Sequence, residues 1–118
     1  MSKDSRSILE ATELQQHLNR ELPFWCLKGN AIEREFQTTG WKSSLMLVNA
    51  VAFLSEAAWH HPQLQVSYAS VGVTLTTHSA GGVTRQDIDL AKKIDELVCW
   101  PEGVEPPAKH ALFKPETL

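Results

Sequence analysis

The sequence places two adjacent histidines, His60 and His61, directly before Pro62, at the end of a long apolar run. Proline lacks a backbone N–H and disfavours helical dihedral angles at the residue before it, so a helix formed by this run must end near the pair. The negative end of the helix dipole favours protonated imidazoles, and histidine already titrates nearer neutrality than any other side chain. The pair is therefore a candidate for proton-transfer chemistry.

The same residues also have structural explanations when each is taken alone. Imidazoles at a helix end can bond to the last free backbone carbonyls. His78 fits a polar residue at a strand end, Asp87 fits a carboxylate near a helix N-terminus, Glu56 fits a solvated charge, and Tyr68 fits a core residue. A metal site is not predicted, because adjacent histidines lack the helical spacing that converges two ligands and no pair of thiolates accompanies them.

The helix that carries the histidine pair is predicted to begin near Ser43, which is a favourable N-cap residue. Two apolar stripes follow at helical spacing, the first containing Leu45 and Ala52 and the second containing Leu47 and Val51. We therefore expect this second helix to be buried more completely than the first helix of the chain.

The residues before this helix predict a shorter helix and a β-hairpin. Leu14 and Leu18 follow two capping-box patterns and predict a first helix that ends before Pro23. Turn residues at positions 28–30 then precede an alternating stretch at 31–37, which indicates the hairpin.

Two more strands and a third helix are predicted after the histidine pair. Alternation indicates a third strand over residues 64–68 and a fourth over residues 71–78, with His78 on the smaller and more polar face of the fourth. Thr84 then caps the third helix, and Asp87 occupies its N3 position.

The order α-β-β-α-β-β-α predicts an α+β fold with a four-stranded antiparallel sheet and three helices on one face. Residues 1–99 are expected to form one domain. Residues 100–118 contain four of the six prolines and predict an extended tail, whose aromatic residues Trp100 and Phe113 make it a candidate segment for binding a protein partner. The apolar row of the fourth strand further predicts a homo-oligomer, because one layer of helices is not expected to cover it.

Composition narrows the classes of partner and compartment. A formal net charge of −3 over 118 residues gives no electropositive field for nucleic acid or an anionic membrane. Cys26 and Cys99 lie far apart without a C-x-x-C spacing, which favours reduced thiols in the cytoplasm. The most apolar run, residues 45–54, is too short to cross a bilayer. The sequence therefore predicts a cytoplasmic protein that binds neither nucleic acid nor membrane.

A set of residues at fixed spacing carries a family resemblance. Its members are Glu56, His60, His61, Pro62, Tyr68, His78 and Asp87. Together they resemble the pterin-4a-carbinolamine dehydratase family, over roughly Leu14 to Leu97. The resemblance implies loss of water from a 4a-hydroxytetrahydropterin to give the quinonoid dihydropterin, with the pterin as substrate and no cofactor or metal. It also implies assembly as a homodimer or homotetramer.

The resemblance further implies a role for each site residue. His61 and His78 would act as acid and base, His60 would bind and orient the pterin, and Asp87 would position a histidine. Substrate binding would fall to Glu56, Thr76 and Thr77. Trp59, which adds a large apolar ring at the pocket rim, is predicted to bind substrate with them.

Trp59 departs from the family pattern, because an acidic residue often stands directly before the histidine pair. An alternative function remains open on the same scaffold. Some relatives of this fold act as a dimerisation cofactor for a transcription factor, and one branch serves as a RuBisCO assembly factor in bacteria with α-carboxysomes.

Overall fold

The computed structural model describes residues 7–98, and the expected proline-rich tail at 100–118 lies outside them. The elements, in chain order, are α1 (Ala11–Glu21), β1 (Cys26–Lys28), β2 (Ala31–Gln37), α2 (Trp41–Ala58), β3 (Gln63–Ser67), β4 (Ser70–Leu75) and α3 (Arg85–Val98). The strands form one sheet in the order β1-β2-β4-β3. Every neighbouring pair is antiparallel. This architecture confirms the predicted α+β fold.

One face of the sheet carries the core. Ile32, Phe36 and Val73 point to this face, and each is at most 3% exposed. Leu18 and Ile94 from the helices belong to the same buried cluster. The opposite face is polar along the central strands, because alternate residues of a strand point to opposite sides. The three helices therefore cover a single face of the sheet.

A buried arginine fastens the sheet to α3. Arg34 lies on the core face of β2, and its Nη1 donates to Oδ1 of Asp95 at 2.9 Å. The guanidinium lies over the rings of Phe24 and Phe36, at 4.7 and 4.3 Å from their centroids. Nε1 of Trp25 donates to the same carboxylate oxygen at 2.9 Å. The charge is thus buried with an opposite charge and aromatic faces around it.

As predicted, α2 is buried more completely than α1, but only one of its two apolar stripes is buried. Leu47 and Val51 are fully buried, whereas Leu45 is 41% exposed and Ala52 is also exposed. The helix lies on the sheet with one side only, so the stripe facing away from the sheet stays outside the core. The helix also begins at Trp41 rather than near Ser43, whose buried hydroxyl accepts from the backbone N–H of Thr39 at 3.0 Å.

Three predictions about the β3–β4 hairpin were wrong in detail. The fourth strand ends at Leu75 instead of continuing to His78. Tyr68 lies in the turn between the strands and is 70% exposed, so it is not a core residue. Val71 and Val73 are fully buried under the helices, so β4 presents no uncovered apolar row.

Within residues 7–98, no helix is long and apolar enough to span a membrane.

Candidate active site

The C-terminus of α2 is closed by Trp59 in a left-handed conformation, with φ 52° and ψ 45°. The backbone N–H of Trp59 donates to the carbonyl of Glu56 at 3.1 Å, and that of His60 donates to the carbonyl of Ser55 at 3.0 Å. These are the two bonds of a Schellman motif, which usually has glycine at the left-handed position. A tryptophan there costs about 1–2 kcal/mol in backbone strain. The motif turns the chain so that the histidine pair follows directly.

A cavity of about 330 Å³ opens beside this helix end. Its lining comprises Trp59, His60, His61, Thr76, Thr77, His78, Ser79 and Gln86. The three histidines of the sequence pattern therefore line one cavity. Two come from the end of α2, and the third comes from the turn that follows β4.

The imidazole of His60 is hydrogen-bonded to a buried carboxylate. Its Nε2 is hydrogen-bonded to Oδ1 of Asp87, whose side chain is fully buried. Oδ2 of Asp87 accepts from the hydroxyl of Thr77 and from the backbone N–H of Thr84, both at 2.8 Å. Both carboxylate oxygens thus have partners, and the imidazole orientation is fixed by groups that are themselves fixed.

The same carboxylate closes the N-terminus of α3. The hydroxyl of Thr84 accepts from the backbone N–H of Gln86 at 3.2 Å, while Asp87 reaches back to the backbone N–H of Thr84. This reciprocal arrangement is a capping box. The local pattern predicted it, and the contact with His60 adds a tertiary role to the same carboxylate.

His61 has a carboxylate partner as well, but an exposed one. Its Nε2 lies 2.8 Å from Oε1 of Glu56, and the two side chains are 53% and 67% exposed. The indole of Trp59 meets the His61 ring edge to face, with the centroids 5.1 Å apart. Glu56 does not line the cavity, but it is hydrogen-bonded to His61, which does.

The remaining residues of the predicted site lie at the end of β4. His78 is exposed and lines the cavity from the turn, in which the backbone N–H of Gly81 bonds to the carbonyl of Thr77 at 2.9 Å. The hydroxyl of Thr76 donates to the carbonyl of Asn30 at 2.6 Å and ties this end of β4 to the β1–β2 turn. Thr77 faces the Asp87 carboxylate.

Two cavity residues, Ser79 and Gln86, were missed in the sequence. Each is next in the chain to a residue of the predicted site, His78 and Asp87 respectively. This adjacency was the only available signal, because neither side chain belongs to the spacing pattern. Their positions follow from the turn after β4 and the first turn of α3, which meet at the cavity.

The arrangement suits proton transfer. Imidazole can accept a proton in its neutral form and donate one in its charged form at near-neutral pH, and three imidazoles share this cavity. Among residues 7–98, no cluster of three or more His, Cys, Asp or Glu side chains has a geometry that could hold a metal ion.

Comparisons with known proteins agree on one family. The model of the family described as pterin 4 alpha carbinolamine dehydratase matches residues 7–97. A protein of Aquifex aeolicus provisionally named pterin-4-alpha-carbinolamine dehydratase is 50% identical over 90 residues, covering 76% of this chain and 90% of that protein. A protein of Roseiflexus sp. with the same provisional name is 42% identical over 90 residues, covering 76% of this chain and 96% of that protein.

Two solved structures are similar to the chain. The transcriptional coactivator/pterin dehydratase from Brucella melitensis superposes with a TM-score of 0.71 at 31% identity, covering 77% of this chain and 98% of that chain. A pterin dehydratase-like protein identified as a RuBisCO assembly factor in the alpha-carboxysome superposes with a TM-score of 0.50 at 23% identity, covering 62% of this chain and 84% of that chain. The second likeness is one of fold.

Proposed function

Because the chain belongs to the pterin 4 alpha carbinolamine dehydratase family, we propose that it removes water from a 4a-hydroxytetrahydropterin to give the quinonoid dihydropterin. The observation that carries the proposal is the cavity lined by His60, His61 and His78. Two of these imidazoles are hydrogen-bonded to carboxylates.

The proposed reaction needs one proton acceptor and one proton donor. A base removes the proton from N5 of the pterin while an acid protonates the hydroxyl on C4a. The C4a–O bond breaks, water leaves, and the electron pair of the N5–H bond forms the C4a–N5 double bond. Nothing is oxidised or reduced. Groups that titrate near pH 7 are the most effective carriers for both protons.

The different surroundings of the histidines support different roles. His60 is held against the buried Asp87 carboxylate, and its side chain is 11% exposed, so it suits binding and orientation of the pterin. His61 and His78 are exposed at the cavity and suit exchange of protons with substrate and solvent. We assign the acid and base steps to these two imidazoles.

The cavity wall supports binding of a flat heterocycle. Trp59 contributes an exposed indole to the lining, and Thr76 and Thr77 contribute hydroxyl-bearing side chains from the residues that follow β4. The hydroxyl of Thr77 donates to Asp87, so this side chain is fixed where it lines the cavity. Glu56 acts on the substrate through the orientation of His61.

Stopped-flow measurement of the dehydration rate tests the proposal. We expect wild type to accelerate the loss of water over buffer, and His78→Ala to lower the catalysed rate by about 10²- to 10⁴-fold. His17→Ala is the matched control, because this histidine lies on α1 and is absent from the cavity lining. A wild-type rate equal to that of buffer would contradict the dehydratase proposal. The alternative, a non-catalytic scaffold that assembles a protein partner such as RuBisCO, would then remain.

A further inference from the structure

His78 differs from the other two cavity imidazoles in what holds it. The rings of His60 and His61 are each hydrogen-bonded to a carboxylate. The ring of His78 has no hydrogen-bond or ion-pair partner in the part of the chain that the structure describes. Its place in the cavity is therefore set by the backbone of the turn that carries it, residues 77–82.

The base of this turn is closed by its own backbone. Thr77 and Gly82 form an isolated bridge, in which the N–H of Thr77 donates to the carbonyl of Gly82 at 2.9 Å. The carbonyl of Thr77 accepts from the N–H of Gly81, also at 2.9 Å. The hydroxyl of Thr77 donates to the buried carboxylate of Asp87. These bonds fix the base of the turn to α3.

Asn30, in the loop between β1 and β2, contacts the chain both before and after His78. Its backbone carbonyl accepts from the hydroxyl of Thr76 at 2.6 Å, and its side-chain Nδ2 donates to the carbonyl of Gly81 at 3.5 Å. The first bond is short and the second is at the long end of the range, so the carbonyl of Asn30 makes the stronger contact. Thr76 precedes His78 by two residues, and Gly81 follows it by three. A single residue therefore brackets the turn that carries the histidine.

The loop that carries Asn30 is well suited to serve as an anchor. Gly29 and Asn30 are the two residues between Lys28 and Ala31, which pair across the hairpin. Gly29 has φ 60°, the sign that a type II′ turn requires at its first central residue. Ala31 and Ile32, which follow, are both buried. Asn30 is therefore fixed to the sheet by its backbone, although its side chain is exposed.

We propose that Asn30 is a positioning residue for His78, which holds the turn where the imidazole exchanges a proton with the substrate. Asn30 does not line the cavity, so it acts through the histidine and not on the substrate. The inference rests on the proposed dehydratase function and gives the loop between β1 and β2 a part in it. A misplacement of about 1 Å in a reacting group can lower a rate by about 10²-fold, so even modest contacts of this kind have a measurable effect.

The arrangement also limits what Thr76 contributes to binding. Its hydroxyl has one proton, which is donated to the carbonyl of Asn30. The hydroxyl oxygen keeps its capacity to accept, so Thr76 can accept from a substrate donor but cannot donate to the substrate without releasing Asn30. Thr76 therefore connects the cavity lining to the anchor of His78.

The kinetic constants of Asn30→Ala test the positioning role. We expect kcat for dehydration to fall by about fivefold, less than the effect of a full 1 Å misplacement, while KM stays within about twofold. Asn19→Ala is the matched control, because this asparagine is exposed on α1 and its amide also makes one side-chain hydrogen bond, from Gln15. A loss confined to KM, or an equal loss of kcat in Asn19→Ala, would contradict the proposal.

A double-mutant cycle with His78 separates positioning from a general loss of structure. If Asn30 acts through His78, Asn30→Ala should change the residual catalysed rate of His78→Ala by less than about twofold. A change of about fivefold in both backgrounds would show that Asn30 acts independently of this imidazole, and would overturn the proposal.

Amide hydrogen exchange in the turn gives a readout that needs no turnover. Asn30→Ala should speed exchange at the N–H of Gly81 by about threefold, because opening of the turn no longer breaks the bond to the Gly81 carbonyl. Thr76→Val removes the stronger contact and should speed it by about tenfold. The N–H of Ile94 in α3 should exchange at the wild-type rate in both variants. Wild-type exchange at Gly81 in both variants would overturn the anchoring.

The two sets of measurements can fail separately. A wild type that dehydrates the substrate no faster than buffer would defeat the proposed function, and the exchange rates would still decide whether Asn30 holds the turn. Faster exchange at Gly81 together with a wild-type kcat in Asn30→Ala would overturn the positioning role and leave the dehydratase function standing.

Discussion

The candidate site contains two carboxylate–imidazole pairs of the same chemistry in opposite surroundings. Asp87 and His60 meet in the interior, where their side chains are 0% and 11% exposed. Glu56 and His61 meet at the surface, where theirs are 67% and 53% exposed. The two histidines are neighbours in the chain, yet the first turns toward α3 and the second toward solvent.

This difference in burial is the basis for the two roles that the proposed function assigns to His60 and His61. Asp87 accepts two further hydrogen bonds from Thr77 and Thr84, so the buried imidazole cannot move without breaking a network. An exposed ion pair contributes only about 0–1 kcal/mol and forms and breaks readily. The proposed function therefore assigns proton exchange to the weakly held His61 and orientation of the substrate to the rigidly held His60.

The largest expected effect is on the dehydration rate, and the accompanying change in stability distinguishes the two histidines. His61→Ala should lower dehydration by about 10²- to 10⁴-fold while leaving the unfolding free energy nearly unchanged, because the side chain is exposed. His60→Ala should also cost about 1–3 kcal/mol of stability, since it leaves a buried oxygen of Asp87 without its imidazole partner. Stopped-flow assays and urea unfolding of both variants measure the two effects. Equal stability losses in the two variants would break the comparison.

The next effect compares the two carboxylates. Asp87→Asn introduces a donor where the carboxylate accepted from Thr77 and Thr84, and we expect a loss of about 3 kcal/mol in unfolding free energy. Glu56→Gln is the matched change in the exposed pair and should cost less than about 1 kcal/mol. Urea denaturation at pH 7 gives both values. A loss for Glu56→Gln as large as that for Asp87→Asn would refute the assignment of rigidity to burial.

The sequence predicted which residues meet at the cavity better than it predicted their contacts. The spacing of the histidines and Asp87 identified three cavity imidazoles, and the capping box at Thr84 was readable from four residues of local pattern. Which carboxylate meets which histidine was not readable. That pairing depends on Trp59, whose left-handed conformation reverses the chain direction at the end of α2.

The sequence predicted the order of the helices and strands correctly, but it predicted burial for two residues that are exposed, Leu45 and Tyr68. Leu45 and Leu47 belong to stripes of similar hydrophobicity, so periodicity alone could not decide which stripe faces the sheet. Tyr68 continues the alternation of β3 in the sequence, but the strand reverses at that residue and its ring stays outside. In both cases the decisive quantity was the position of a neighbouring element, which the local pattern does not contain.

A smaller effect is expected from Trp59, which directly precedes the two histidines. Trp59→Gly should raise the unfolding free energy by about 1 kcal/mol, because glycine adopts φ 52° without strain. Trp59→Asp removes the indole that meets His61 and should raise affinity for the pterin by returning a carboxylate to the cavity rim. Urea unfolding and the Michaelis constant measure the two changes. A destabilised Trp59→Gly variant would mean that the indole contact outweighs the backbone strain.

A third carboxylate–imidazole pair, away from the cavity, gives the smallest test. Nδ1 of His17 and Nζ of Lys92 lie 3.0 Å from the two carboxylate oxygens of Glu21, which joins α1 to α3. The hydrogen bond from His17, followed by that from Lys92, lowers the pKa of Glu21 from its ordinary value of 4.5 to about 2. A carboxylate with a lowered pKa in the folded state stabilises the protein above its unfolded pKa.

That contribution should be complete above pH 4.5 and should be lost as the pH falls from 4.5 toward 2, where protonation removes the charge in the folded state. Wild type should therefore lose more stability over this interval than Glu21→Gln, by less than about 1 kcal/mol because the pair is partly exposed. His17→Gln should reduce the acid dependence more than Lys92→Gln, since the His17 bond contributes the larger part of the lowering. Urea unfolding at several pH values compares the four proteins. Parallel acid profiles for wild type and Glu21→Gln would show that this partly exposed pair contributes no measurable stability. A measurable contribution would then be expected from the buried Asp87–His60 pair and not from Glu21.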